Sequence, residues 1–141
     1  MPKTVVVVDG MGGGIGSQLA ARIHKEIKQD ISLVALGTNA IASQRMVEAG
    51  ASRGASGENA FRVSLATADF ILGPVGIVLA DSMMGELSPA MAEAVLASPA
   101  KRILLPIAQS HVTIVGLAKL SMSELIDEAL AVLAKELRDT E

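Results

Sequence analysis

The sequence has no cysteine, no tyrosine and no tryptophan, and Phe61 and Phe70 are its whole aromatic content. Without cysteine there are no disulfides, thiolate zinc sites or thiol nucleophiles. With so few rings, the core must be built from Val, Ile, Leu, Ala and Met. Two histidines, His24 and His111, lie far apart in sequence, which speaks against a histidine-rich metal site. No metal site is expected. Excess charge of one sign is also missing: 12 basic residues face 15 acidic ones. A nucleic-acid binder normally shows a basic surplus or stripe, so no nucleic-acid partner is expected. Long hydrophobic runs are absent too. The longest, Phe70 to Ala80, is broken by Gly73, Pro74 and Gly76 and falls short of the roughly 18 to 20 residues of a membrane span. The opening MPKTVVVVDG is unlike a signal peptide. A cytoplasmic protein with no membrane partner is the expectation.

What is present suits one domain over residues 1–141, half of it apolar. Thr4–Val8 is a β-branched run of the kind buried on both faces of a parallel sheet. A glycine-rich loop follows, then Ile15, Leu19, Ile23 and Ile27 at helical spacing, then a second apolar run, Ile31–Leu36. This is a β-α-β unit. Ala40–Ala49 reads as a helix ended by Gly50. Gly50–Asn59, small and polar, reads as a loop, with Ala51–Arg53 a candidate short strand. A short helix is expected over Glu58–Ala66 and a strand over Ala68–Leu72. A short apolar helix is expected over Val75–Met84. Ser88-Pro89 opens another that runs to about Ser98.

Arg102–Ile107 and His111–Val115 read as the last two strands. Three residues cannot make a parallel crossover, so His111–Val115 is expected to run antiparallel. Ser121 and Glu124 form a capping box for a final helix to about Leu137. The fold class is thus α/β: a three-layer Rossmann-like fold, with a mostly parallel sheet of about five strands and an antiparallel last strand. Its ligand edge, at the strands' C-terminal ends, gathers the loops Asp9–Gly16, Gly37–Asn39, Gly73–Gly76 and Ala108–His111.

The principal candidate site is Asp9, Gly10, Met11, Gly12, Gly13, Gly14, Ile15 and Gly16. Glycines let backbone N–H groups approach a phosphate, and the first helical turn favours an anion. The competing account is a tight turn that binds nothing. Asp9 either faces a cation or ribose, or fixes the turn through its side chain. Thr38 and Asn39 stand where dinucleotide folds place a ribose-binding acid; no acid follows the second strand, which would tolerate a 2′-phosphate. Arg45 reads as too far along its helix to assist. Gly73, Pro74, Val75 and Gly76 lie where a loop would pass a cofactor, or form a rigid turn. Asn59, Ser110 and His111 are weaker candidates for substrate contact. His24 reads as solvated. Asp81, Ser82 and Glu86 read first as a polar helix face, with a cleft lining as the alternative, and Ser56–Asn59 as a plain helix cap, with a second anion or ribose contact as the alternative. No Lys-Ser or Lys-Thr pair follows the glycines, so a P-loop is not indicated.

Gly10-x-x-x-Gly14-Ile15-Gly16 resembles the cofactor loop of the short-chain dehydrogenases. That resemblance implies binding only, because those enzymes use a catalytic tyrosine and this chain has none. The segments VVDGMGGGIG, ALGTNAIA, AGASRGASGENA and GPVGIVLADSMMGELSPAMAEA, with the Ser-Glu-Leu-Ile start of the last helix, resemble a family of short bacterial proteins described as a domain of unknown function. The likeness runs from about Val5 to Ala129 and implies a Rossmann-like fold with no assigned reaction. The expected function is binding of a nucleotide or dinucleotide, NAD(P) or another adenine nucleotide, as the small-molecule partner. The alternatives are a small cofactor-dependent enzyme and a structural or interaction protein without a ligand. Homo-oligomers, dimeric or larger, are expected because Val75–Met84 and Leu125–Leu137 carry more apolar surface than one thin domain should hide.

Overall fold

The computed structural model describes residues 1–107 and 112–141. Its elements alternate along the chain. They are β1 (Lys3–Asp9), α1 (Gly14–Glu26), β2 (Ile31–Gly37), α2 (Ala40–Ala49), β3 (Arg53–Ser56), α3 (Glu58–Leu65), β4 (Phe70–Pro74), a 3₁₀ turn (Val75–Val78), α4 (Pro89–Ala97), β5 (Lys101–Leu105) and α5 (Met122–Asp139).

The strands form one sheet in the order β3-β2-β1-β4-β5. Every neighbouring pair is parallel. The expected antiparallel last strand is therefore wrong. The last strand is β5, parallel to β4, and the fifth member of the sheet is β3. His111 lies outside the described residues, and Thr113–Val115 form no strand. The reason is burial. Val112, Ile114 and Val115 stay exposed, with Val112 and Ile114 lining an open groove beside Val75, Pro106 and Ile107, so β-branched composition alone does not make them a strand. β3 was displaced in the sequence reading because Arg53–Ser56 is polar, small and wholly exposed, with no apolar alternation to announce it.

Period-two alternation divides the core. Val5 and Val7, with Leu33, Ala35, Phe70, Leu72, Ile103 and Leu105, pack under α1, α2 and α5. Val6 and Val8, with Val34, Leu36 and Ile71, pack under α3, α4 and the 3₁₀ turn. Each face of the sheet thus has its helical layer, giving three layers. At about 25 cal/mol per Å² of apolar area, the four fully buried valines of β1 are the centre of that stabilisation.

Local signals set most helix ends. Asn39 caps α2 by accepting from the Ala42 N–H, and Ser88 caps α4 by accepting from Met91. Ser121 and Glu124 form the reciprocal capping box of α5. The expected helix over Val75–Met84 is only the 3₁₀ turn, after which the chain loops. Asp81, Met83 and Met84 take positive φ, which an α-helix does not allow. Ile77 and Leu87 carry the burial there instead. α5 likewise buries Ile126, Leu130, Leu133 and Leu137 against the sheet. In the two apolar segments that suggested an oligomer, Ile77, Ile126, Leu130, Leu133 and Leu137 are buried, while Met84 and Val132 are exposed. None of the described helices is long and apolar enough to cross a membrane.

Candidate functional site

The sheet order reverses between β1 and β4, because β2 and β3 extend one way and β4 and β5 the other. Ligands of open α/β sheets bind at such a switch point, beyond the strands' C-terminal ends. Here that position is walled by the glycine loop after β1, the Thr38-Asn39 turn after β2, and the loop 79–88 after the 3₁₀ turn.

Asp9 ends β1 and is 4% exposed. One carboxylate oxygen accepts from the Gly10 N–H at 2.8 Å and the other from the Gly16 N–H at 2.7 Å. Of its two candidate roles, the geometry displays the one that fixes the turn. Gly13, the residue before α1, has no side chain to cap the helix, and Asp9 does the capping from the strand. Burial pushes the Asp9 pKa up, against the Gly16, Gly10 and Ile15 N–H groups and the Arg45 charge, which favour the carboxylate.

The five glycines of the loop separate by what surrounds them. A Cβ on Gly10 would lie 2.5 Å from Thr38 Oγ1 and 2.6 Å from Met83 Sδ. On Gly16 it would lie 2.5 Å from Met46 Sδ and 2.8 Å from Asp9 Cβ. Gly13 has φ +72° and would place its Cβ 2.9 Å from the Ala42 backbone. These three are glycines because packing or φ demands it. Gly12 and Gly14 are different. A Cβ there would meet only Arg45 Nη1, at 3.5 Å and 3.9 Å, and neither has positive φ. Among the described residues, no close packing demands glycine at either place.

Arg45, which its position along α2 sets apart from the loop in sequence, lies against the loop in the fold. It donates to the Gly12 carbonyl at 2.7 Å and lies along the open side of the loop. The signal was there in outline. Asn39, Ala42 and Arg45 follow at threes along α2, and Ala42 packs on Gly13, so Arg45 comes one turn later on the same face.

Glu86 also comes to the loop. One of its oxygens, Oε1, accepts from the Met11 N–H at 2.9 Å, Thr38 Oγ1 at 2.6 Å and Asn39 Nδ2 at 2.8 Å. Those bonds, the Thr38 hydroxyl foremost, hold its pKa below the ordinary glutamate range. Glu86 was read as a polar helix face, but its segment is a closed loop. The Asp81 N–H donates to the Leu87 carbonyl at 2.7 Å across the loop base, and the Ser82 hydroxyl to Gly76 at 2.6 Å. Nothing in the sequence announced this conformation.

The remaining candidates fall elsewhere. Gly73, Pro74 and Gly76 are buried, and a Cβ on Gly73 would strike the Val8 carbonyl, so this segment is a rigid turn under the sheet edge. Asn59 is exposed; it accepts from Arg62 at 2.7 Å and lines a groove between α3 and α4 with Glu93 and Ala94. Ser110 and His111 lie outside the described residues. His24 is exposed on α1. Among the described residues, no three acidic or histidine side chains are grouped to hold a metal ion.

The comparison with known families covers nearly all of this architecture, from residue 4 to residue 138. The chain belongs to the family described as Domain of unknown function (DUF3842). No curated protein and no solved structure matches it. Membership in DUF3842 assigns no reaction, so the chemistry of this site rests on its geometry.

Proposed function

We propose that this protein binds a nucleotide, NAD(P) or another adenine nucleotide, with a phosphate on the outer side of the glycine loop. The observation that carries the reading is the pair Gly12 and Gly14. Their bare Cα atoms lie beside the Arg45 guanidinium, and among the described residues no close packing asks for glycine there. At Gly14, in the first turn of α1, glycine costs up to about 1 kcal/mol relative to alanine. Close approach of a ligand to the backbone is a reason for it.

Electrostatics fit the same picture. Asp9 takes the inner N–H groups at the start of α1. Its carboxylate opposes a second anion at that helix end, so an outer phosphate needs a cation. Arg45 supplies one, with planar donors suited to phosphate oxygens.

Thermal unfolding against a panel of AMP, ADP, ATP, NAD, NADP and inorganic phosphate tests the proposal. A nucleotide at 100 times its dissociation constant adds about 2.7 kcal/mol of stability. For a chain of this size that is a rise of roughly 5–10 °C. No rise with any of the nucleotides at millimolar concentration would overturn the reading.

A further inference from the structure

We infer that Glu86 is the specificity-determining residue of this site, and that the ligand is a 5′-phosphorylated ribonucleoside with a free 2′-hydroxyl. This rests on the nucleotide reading above and names the sugar that the site accepts. No acid follows β2, where dinucleotide folds usually hold the ribose. The structure supplies one from another part of the chain. Glu86 reaches over from the loop after β4 and sits on Thr38 and Asn39, the two residues that follow β2.

The use of its two oxygens is unequal. Oε1 takes three donors, from the loops after β1 and β2. Oε2 takes none among the described residues. A carboxylate held rigidly by one oxygen presents the other as a fixed acceptor. Thr38 and Asn39, by contrast, already spend donors on Glu86, and Asn39 Oδ1 caps α2. The Thr38 hydroxyl keeps acceptor lone pairs, but Glu86 Oε2 is the charged acceptor at this position, and a charged acceptor makes the stronger bond to a hydroxyl.

The Met11 N–H bonded to Glu86 is the residue next to Gly12, so the carboxylate and the outer face of the glycine loop are adjacent. A ribose hydroxyl donating to Oε2 leaves the 5′-phosphate to reach Gly12, Gly14 and Arg45. A 2′-phosphate would instead set an anion against Glu86. The loop that carries Glu86 has three non-glycine residues at positive φ, Asp81, Met83 and Met84, and such backbone persists where surrounding contacts hold it.

Calorimetric titration with AMP, 2′-deoxy-AMP and adenosine 2′,5′-bisphosphate tests this directly, since the three differ only at the 2′ position. AMP should bind roughly tenfold more tightly than the deoxy compound, and at least as far above the bisphosphate. In Glu86→Gln, which keeps an acceptor oxygen for the three donors, the gap between AMP and the bisphosphate should close to within about threefold. Wild-type protein that binds all three alike would overturn the inference and leave the phosphate site standing. A Glu86→Gln variant that keeps the full discrimination would do the same. Binding of none of them overturns both readings. Should Glu86→Gln fail to fold, the wild-type ranking alone decides.

Discussion

Arg45, on the second helix, donates to the carbonyl of Gly12 at 2.7 Å and so brings a positive charge to a glycine loop 33 residues earlier in the chain. Its side chain is exposed, and among the described residues it makes one hydrogen bond, to Gly12. Arg45→Ala should therefore move Tm by less than about 3 °C. It should weaken AMP or phosphate binding by roughly tenfold or more and flatten its dependence on salt. Unchanged affinity in a folded Arg45→Ala protein would remove the cation from the site.

The glycine loop should split into two classes on alanine substitution. Gly16→Ala and Gly13→Ala meet Met46, Asp9 and the Ala42 backbone at 2.9 Å or less, and should cost about 2 kcal/mol or more. Gly12→Ala and Gly14→Ala meet only Arg45 and should leave unfolding within about 1 kcal/mol of wild type. Their loss should appear in nucleotide titration instead. Equal destabilisation at all four positions would refute the division.

Asp9 and Glu86 should respond to pH with opposite sign. Burial raises the Asp9 pKa above 3.8, so the folded protein holds this proton more tightly than the unfolded chain. Its contribution to stability therefore grows as pH falls through the raised pKa, and levels off below the ordinary value. Glu86 is depressed below 4.5, so its contribution is present above that value and lost as pH falls through the folded pKa. Denaturant unfolding of wild type and Asp9→Asn across pH 7 to 3 isolates the first effect. A wild-type advantage that shrinks towards acid would contradict it.

Met84 is 91% exposed with φ +57°. Nothing buried holds its side chain, while the left-handed backbone costs a non-glycine residue about 1 kcal/mol. Met84→Gly should raise Tm by a few degrees. A fall in Tm would mean that the methionine side chain contributes more than its exposure indicates.

The sequence made the periodic parts of this fold legible. β1, with its run of four valines, α2 with Asn39 and Gly50 at its ends, and α5 with its capping box all carry their own signals. β3 was hidden because an edge strand of Arg, Gly, Ala and Ser has no apolar rhythm, and its existence depends on pairing with β2. His111–Val115 misled for the converse reason: β-branched residues suggested a strand where the described part of the segment stays exposed and forms no strand of the sheet. At the site, the glycine loop was legible from local spacing. Arg45 needed the packing of α2 on Gly13, and Glu86 needed a loop whose left-handed residues are methionine and aspartate rather than the expected glycine.

The three hydrogen bonds to Glu86 span 75, 48 and 47 residues of chain. Contacts that distant in sequence form only after the intervening loops have closed, and closure of long loops slows folding. The β1-α1-β2 unit can assemble from neighbouring residues, but the third wall of the crevice arrives after β4 has crossed over and docked beside β1. Competence to bind is thus acquired late, when both halves of the sheet have met. A nascent chain carrying the complete glycine loop would still lack the wall that holds Glu86 until the loop beyond residue 79 had been made and seated.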